Sequence, residues 1–306
     1  MILSASRRTD IPCFYAPWLI NRLEAGCALV RNPMNPARLS RIPLTPDVLD
    51  GIVLWTKNPA PMLPLLDRLD QLCPTYYFQF TLTPYGRELE RNLPPKEELV
   101  RVFIGLSQRL GRHRVVWRYD PIVITPQLTV DWHCRQFRRL CQQLSPYTDT
   151  VVISFVDQYA KVKSPLICPI SAEDMLQLAQ FIGQTAREFG LTAAACCEAG
   201  DFSAQGIGRS ACIDRARLEA ILGQPLNLSP DRNQRPGCGC AESVDIGAYN
   251  TCENGCIYCY ASYSPQSAAR NRANHDPAGE LLMGSPRPGE QIIPRQVRSA
   301  RKFNPS

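Results

Sequence analysis

The sequence predicts an α/β fold on a parallel sheet, open or closed into a barrel. Short β-rich runs alternate with amphipathic helical runs as far as Leu222, and polar residues gather just after the apolar runs. No apolar stretch approaches the ~20 residues of a membrane span, so no membrane partner is expected. A chain of 306 residues can bury a sizeable core, as one large domain or one domain with an appendage. Hydrophobic content of 44% and charged content of 20% are those of an ordinary globule. The net charge of +6 allows anionic partners such as phosphates or nucleic acid, and equally a basic surface with no such role.

In order along the chain, strands are expected at residues 1–5, 51–55, 76–82, 114–118, 150–155 and 192–195. Helices are expected between and after them, at 17–25, 61–72, 95–110, 130–144, 172–189 and 215–222. Several open with a proline or an acidic residue in the first turn, and Gly111 and Gly190 stand where two of them end. From about residue 223 the pattern becomes rich in Gly, Pro and Cys, with one clear strand at 244–248. Residues 264–306 form a polar, proline-bearing extension, expected to be loosely packed or draped over the surface.

The junctions after the strands carry Ser6-Arg7-Arg8-Thr9-Asp10, Thr56-Lys57-Asn58, Thr81 and Thr83, Tyr119-Asp120, and Asp157. Strand C-termini form the active face of parallel α/β folds, so these groups should share one rim. Asn58 before Pro59 and Asp120 before Pro121 can equally serve as turn residues.

Arg7-Arg8 lacks the apolar segment that a twin-arginine export signal requires, because Thr9-Asp10-Ile11-Pro12 follows. A cytoplasmic location is therefore expected. Thiols stay reduced there, so metal ligation explains clustered members of the 14 cysteines better than a disulfide framework does. Cys252, Cys256 and Cys259 form a C-x3-C-x2-C run on a loop leaving the strand at 244–248. Three such thiolates can wrap one face of a [4Fe–4S] cluster and leave one iron open. A structural zinc site is the competing reading, although zinc knuckles more often pair C-x2-C units.

The run resembles the cluster motif of the radical S-adenosylmethionine (SAM) superfamily, C-x3-C-x-aromatic-C, with Tyr258 at the aromatic position. Asn250 and Tyr260-Ala261 bring it nearest the branch containing spore photoproduct lyase. Trp55-Thr-Lys-Asn-Pro59 with Leu65-Leu-Asp67, then Thr81-Leu-Thr83 with Leu89-Glu90 and Pro94-Pro95, and Tyr119-Asp-Pro-Ile122 resemble successive strand-to-helix segments of that branch. In that superfamily the cluster motif follows the first strand of a partial TIM barrel, and here it comes last. A circular permutation would produce this order. From about Met1 to Tyr263 the chain is similar to a bacterial family catalogued as domain of unknown function 1848, which brings no activity with it.

The resemblance implies a permuted, TIM-like (β/α) barrel over residues 1–263, with a Cys-rich segment at 196–263. It implies a [4Fe–4S] cluster and SAM, a reductase partner such as flavodoxin or ferredoxin, and a 5′-deoxyadenosyl radical that takes hydrogen from a substrate. The usual segment for the SAM amino group has no counterpart after Cys259. Its expected substitute is the first junction, with Asp10 facing the methionine ammonium, helped by Arg8, Asn250 and Tyr258. Lys57, Arg118 and Asp157 would orient the substrate or the SAM carboxylate, or else form structural ion pairs. The substrate is not written in these residues: nucleic acid, a peptide or a small metabolite would each suit this chemistry.

A second set is expected from Cys197, Cys212, Cys238 and Cys240, as an auxiliary Fe–S cluster or a zinc site, with Cys196 turned to the opposite face. The other cysteines sit singly and suit a packed core. The three histidines form no ligand pair. Two rival functions differ in what they require. A non-catalytic Fe–S or zinc protein binding nucleic acid would need no polar rim, and a barrel hydrolase would need a phosphate loop or a carboxylate/His cluster.

Overall fold

A computed structural model describes residues 1–157, 164–198, 200–235 and 237–301. Strand β1 (Ile2–Ala5) leads into the short helix α1 (Ile11–Phe14) and then α2 (Ala16–Glu24). A hairpin follows, β2 (Cys27–Arg31) and β3 (Arg38–Pro43), before β4 (Gly51–Thr56) and α3 (Leu66–Leu72). The βα pattern continues through β5 (Tyr76–Thr81), α4 (Lys96–Leu110), β6 (Val115–Ile122), α5 (Val130–Leu144), β7 (Thr150–Phe155), α6 (Ala172–Glu188) and β8 (Thr192–Ala195). The last elements are β9 (Ile207–Arg209), α7 (Arg215–Leu222), β10 (Val244–Asp245), α8 (Pro265–Ala273) and β11 (Gln291–Pro294).

Eight strands make one all-parallel sheet in the order β10-β1-β4-β5-β6-β7-β8-β9. From β1 to β9 each strand lies beside the previous member of this sheet, as short βα crossovers favour. The exception decides the architecture. β10, late in the chain, pairs in parallel with β1 at Leu3↔Val244 and Ser4↔Asp245. Among the described residues no ladder joins β9 to β10, so the sheet has two edges.

Alternation along the strands divides the core. Leu3, Ala5, Ile52, Leu54, Tyr76, Phe78, Trp117 and Ile153 pack against the helices. Ile2, Val53, Tyr77, Val116 and Val152 face the other way, onto Cys212, Ile213, Leu218, Leu226 and Leu228. Burying each large apolar side chain contributes roughly 1.5–3 kcal/mol. Local signals set the ends of the helices. Thr129 and Ser171 cap α5 and α6 by accepting from Trp132 N and Asp174 N. Gly111 and Gly223, both at positive φ, follow α4 and α7.

Three features depart from expectation. The hairpin β2–β3 and strand β9 fall in stretches where neither strand nor helix was expected. β10 is shorter than the strand expected at 244–248. The extension is built in rather than draped: β11 pairs with β3, Leu281 and Leu282 are buried, and Asp50 accepts from Ser299 Oγ at 2.6 Å and Ala300 N at 2.6 Å. Its residues 302–306 lie outside the described ones.

Candidate functional site

The cysteine loop begins where β10 ends. Asp245 sits opposite Ser4 and gathers the first junction around its carboxylate. It accepts from Ser4 Oγ (2.7 Å), Ser6 Oγ (2.7 Å), Arg7 N (2.8 Å), Arg8 Nε (3.0 Å) and Gly247 N (2.9 Å). Burial pushes the Asp245 carboxyl up, but Arg8 and these donors outweigh it and the group stays ionised. Arg8 also donates to Asp245 O at 2.9 Å and lies 5.8 Å from the Tyr249 ring.

Beyond it, Asn250 adopts φ +53 and closes the loop. Its N–H bonds Ala261 O at 2.8 Å, and its Oδ1 accepts from Tyr263 N and Ser264 N. Inside the loop, Ser262 Oγ donates to Cys252 O at 2.6 Å and Ser262 N to Cys259 Sγ at 3.3 Å. The loop is also stitched to the segment after β5. Ile257 N donates to Leu89 O (3.0 Å), Asn92 N to Asn254 O (3.2 Å) and Asn92 Nδ2 to Glu253 O (2.7 Å). Gly255, at φ +69, lets the two chains meet; a Cβ there would stand 3.0 Å from Asn92 Nδ2 and 3.1 Å from Arg91 Cβ.

That stitching brings the loop against a buried charge network. Glu90, itself bridged to Cys256 through the backbone, accepts from Lys57 Nζ (2.7 Å), Thr83 Oγ1 (2.8 Å), Lys96 Nζ and Tyr258 OH. Burial pushes the Glu90 carboxyl up, but Lys57 and Lys96 prevail and hold it down at about 2. One carboxylate against two ammoniums leaves a net positive charge beside the loop. Burial pushes the Cys256 thiol up to about 12, opposed chiefly by Lys57. Cys252 is raised as well, by burial first and then by Asp10, Cys256 and Cys259, so the three sulfurs lie within each other's field.

The expected site residues divide by location. Lys57 and Tyr258 belong to the network beside Cys256, on the strand-end rim as anticipated. Asp10 caps α1 through Cys13 N (3.0 Å), and its Oδ2 accepts from Lys57 N (2.8 Å) and Asn254 Nδ2 (3.1 Å). It is a bolt joining two strand ends to the cysteine loop, and Asn250 is likewise committed to loop closure. Asp157 pairs with Arg235 at 2.6 Å. Asn58 shapes its turn by accepting from Ala60 N, whereas Asp120 lies inside β6 and pairs with Arg118.

Arg118 faces the sheet side that α7 covers, opposite the other main helices. It donates to Gln79 Oε1 at 3.2 Å and Cys212 Sγ at 3.1 Å. Here the second cysteine set needs a correction. Cys196, rather than Cys197, meets Cys212, with the two Sγ atoms 3.2 Å apart. Ala194 already points to this face, and alternation carries Cys196 with it, whereas Cys197 takes φ +55. Cys240 lies in the same cluster within electrostatic reach of Cys212, and Cys238 packs nearby.

A family model described as a domain of unknown function (DUF1848) matches residues 2–261. The chain belongs to that family. No curated protein and no solved structure matches it. The DUF1848 span takes in the whole eight-stranded sheet and both cysteine sets, and leaves out α8 and β11.

For a metal cluster, the donors fit in kind and number: three cysteines on one short loop beside a surplus of positive charge. They are not gathered in advance. Among the described residues no three His, Cys, Asp or Glu side chains are positioned to hold a metal ion as they stand. Sequence reasoning missed Glu90, Lys96, Asp245 and Cys196 as site residues. Glu90 stood in a segment noted for its family likeness, and that likeness was the signal to follow.

Proposed function

We propose that the chain is a circularly permuted radical SAM enzyme, a partial TIM-like barrel whose cluster-bearing strand comes last. Cys252, Cys256 and Cys259 would hold a [4Fe–4S] cluster. The observation that supports this reading best is the pairing of β10 with β1, which sets the cysteine loop on the rim beside Lys57 and Glu90. When bound, the cluster supplies one electron to cleave SAM reductively, giving a 5′-deoxyadenosyl radical that removes hydrogen from a substrate.

The chain's own residues do the rest. Lys57, fixed by Glu90, offsets negative charge on the cysteine sulfurs. Asp10 and Asn254 tie the loop to the ends of β1 and β4, which keeps the sulfurs from swinging into solvent. Of the proposed SAM-side residues, Asp10 and Asn250 hold the loop, while Arg8 and Tyr258 would act from their places against Asp245 and Glu90. Arg118, held by Asp120, and Asp157, paired with Arg235, would orient the substrate. A flavodoxin- or ferredoxin-type reductase would deliver the electron.

Protein purified without oxygen and reconstituted should hold about four iron atoms per chain and give a cluster EPR signal on reduction. Replacing Cys252, Cys256 or Cys259 with Ala should abolish that signal. If all three variants keep wild-type iron, the reading fails. If iron binds but dithionite yields no SAM cleavage, the enzyme assignment fails and the cluster stands.

A further inference from the structure

On the sheet face that α7 covers, three thiols from three separate segments stand in a row. Cys212 is the middle one, 3.2 Å from Cys196 Sγ and within electrostatic reach of the Cys240 thiol. Its backbone is held in place, since its carbonyl accepts from Tyr77 OH at 2.6 Å and Gln79 Nε2 at 2.9 Å. The neighbours are anchored independently. Cys196 N–H bonds Ile153 O at 2.8 Å, and Cys240 Sγ accepts from Ile213 N at 3.4 Å. Cys196 and Arg118, whose Nη1 is 3.1 Å from Cys212 Sγ, favour negative charge on the central sulfur, while Cys240 and burial hold its thiol above the ordinary value.

This spacing suits sulfur–sulfur chemistry better than a metal. Two sulfurs on one tetrahedral zinc, with Zn–S bonds of ~2.3 Å, stand about 3.7 Å apart. The observed pair is closer, and a disulfide bond of ~2.05 Å is reached by closing a gap of about 1.2 Å through side-chain rotation. Cys212 is buried while Cys196 is partly exposed, so a small oxidant can approach from the Cys196 end.

We propose that Cys212 and Cys196 form a redox-active dithiol, with Cys240 as the alternative partner of Cys212, oxidised by a low-molecular-weight disulfide such as glutathione disulfide. One thiolate of the pair attacks the small disulfide, whose S–S bond breaks and releases one small thiolate. The second protein thiolate then attacks the mixed disulfide and releases the other. The protein thiols give up two electrons and two protons, and the small disulfide becomes two thiols. No iron or SAM enters this chemistry, so it stands or falls apart from the cluster.

The test is disulfide mapping on the full chain, with the Cys252→Ala/Cys256→Ala/Cys259→Ala variant run alongside to remove the loop thiols. After glutathione disulfide treatment and alkylation, the expected product is a Cys196–Cys212 linked peptide that dithiothreitol reverses. Cys240→Ser should leave this link intact, and Cys196→Ser should move it to Cys212–Cys240. Full alkylation of both Cys196 and Cys212 in oxidant-treated, folded wild-type protein would overturn the proposal. So would one equivalent of zinc or iron, retained by the triple variant and lost on adding Cys212→Ser.

Discussion

The loop of Cys252, Cys256 and Cys259 and the row of Cys196, Cys212 and Cys240 differ in what brings them together. The loop cysteines are close in sequence, and their surroundings are ionic: Glu90 between two lysines, and Asp10 as a bolt. The row cysteines come from three separate segments, and the sulfurs of Cys196 and Cys212 stand 3.2 Å apart. A loop held by charges on a rim can open to a large ligand. A row fixed by backbone bonds to β5 and β7 keeps its sulfurs at a set spacing. The contrast teaches that thiol count alone says little about thiol chemistry; the scaffold decides whether sulfurs await a cofactor or each other.

The sharpest way to break this comparison is to remove the charge that organises the loop. Glu90→Ala leaves two buried ammoniums without their shared carboxylate and should cost roughly 3–5 kcal/mol. Denaturant titration of wild type and variant measures it. A loss under about 1 kcal/mol would mean that the loop is not held ionically.

Acid bounds the conditions under which either region can be compared. Buried His133 sits between Tyr119 OH at 2.8 Å and Val123 O at 3.0 Å. Burial, partly opposed by the Val123 carbonyl, lowers it from 6.5 to about 4. The unfolded chain therefore binds the extra proton first. Stability from this group is intact above pH ~6.5 and is lost as pH falls through ~4, by about 3 kcal/mol in all. The difference in acid midpoint between wild type and His133→Gln checks it; an identical acid limb in both would refute it.

The smallest effect is expected in the row. Cys212→Ser keeps the backbone carbonyl that Tyr77 and Gln79 grip and leaves a hydroxyl to take up the sulfur's contacts with Arg118 and Cys196, so it should cost no more than about 1.5 kcal/mol. A larger loss in thermal or denaturant unfolding would show that the sulfurs themselves hold this face together.

Much of the frame could be read in the sequence. The six principal strands lie where apolar β-rich runs placed them, and the late strand beside β1 was anticipated from the order of the segments. The rim location of Lys57 followed from strand polarity. Elements with weak patterns were missed: β2 and β3 mix arginine with short apolar stretches, and β9 has three residues. The Cys196/Cys197 reversal has a simple cause. The strand before them reads Thr-Ala-Ala-Ala, and alanine does not reveal which face it takes. Asp245 and Glu90 acquire meaning only through partners far away in the chain, such as Ser4 and Tyr258.

The pairing of β1 with β10 also has a consequence for how the chain is made. Ser4 and Asp245 are separated by 241 positions. At a ribosomal rate of ~5–20 residues per second, one side of β1 waits roughly 10–50 s for its partner. Throughout that time its unpaired N–H and C=O groups are a template for strands of other nascent chains. Slowing translation before β10, or depleting chaperones that shield emerging strands, should therefore lower soluble yield through events at the opposite end of the polypeptide.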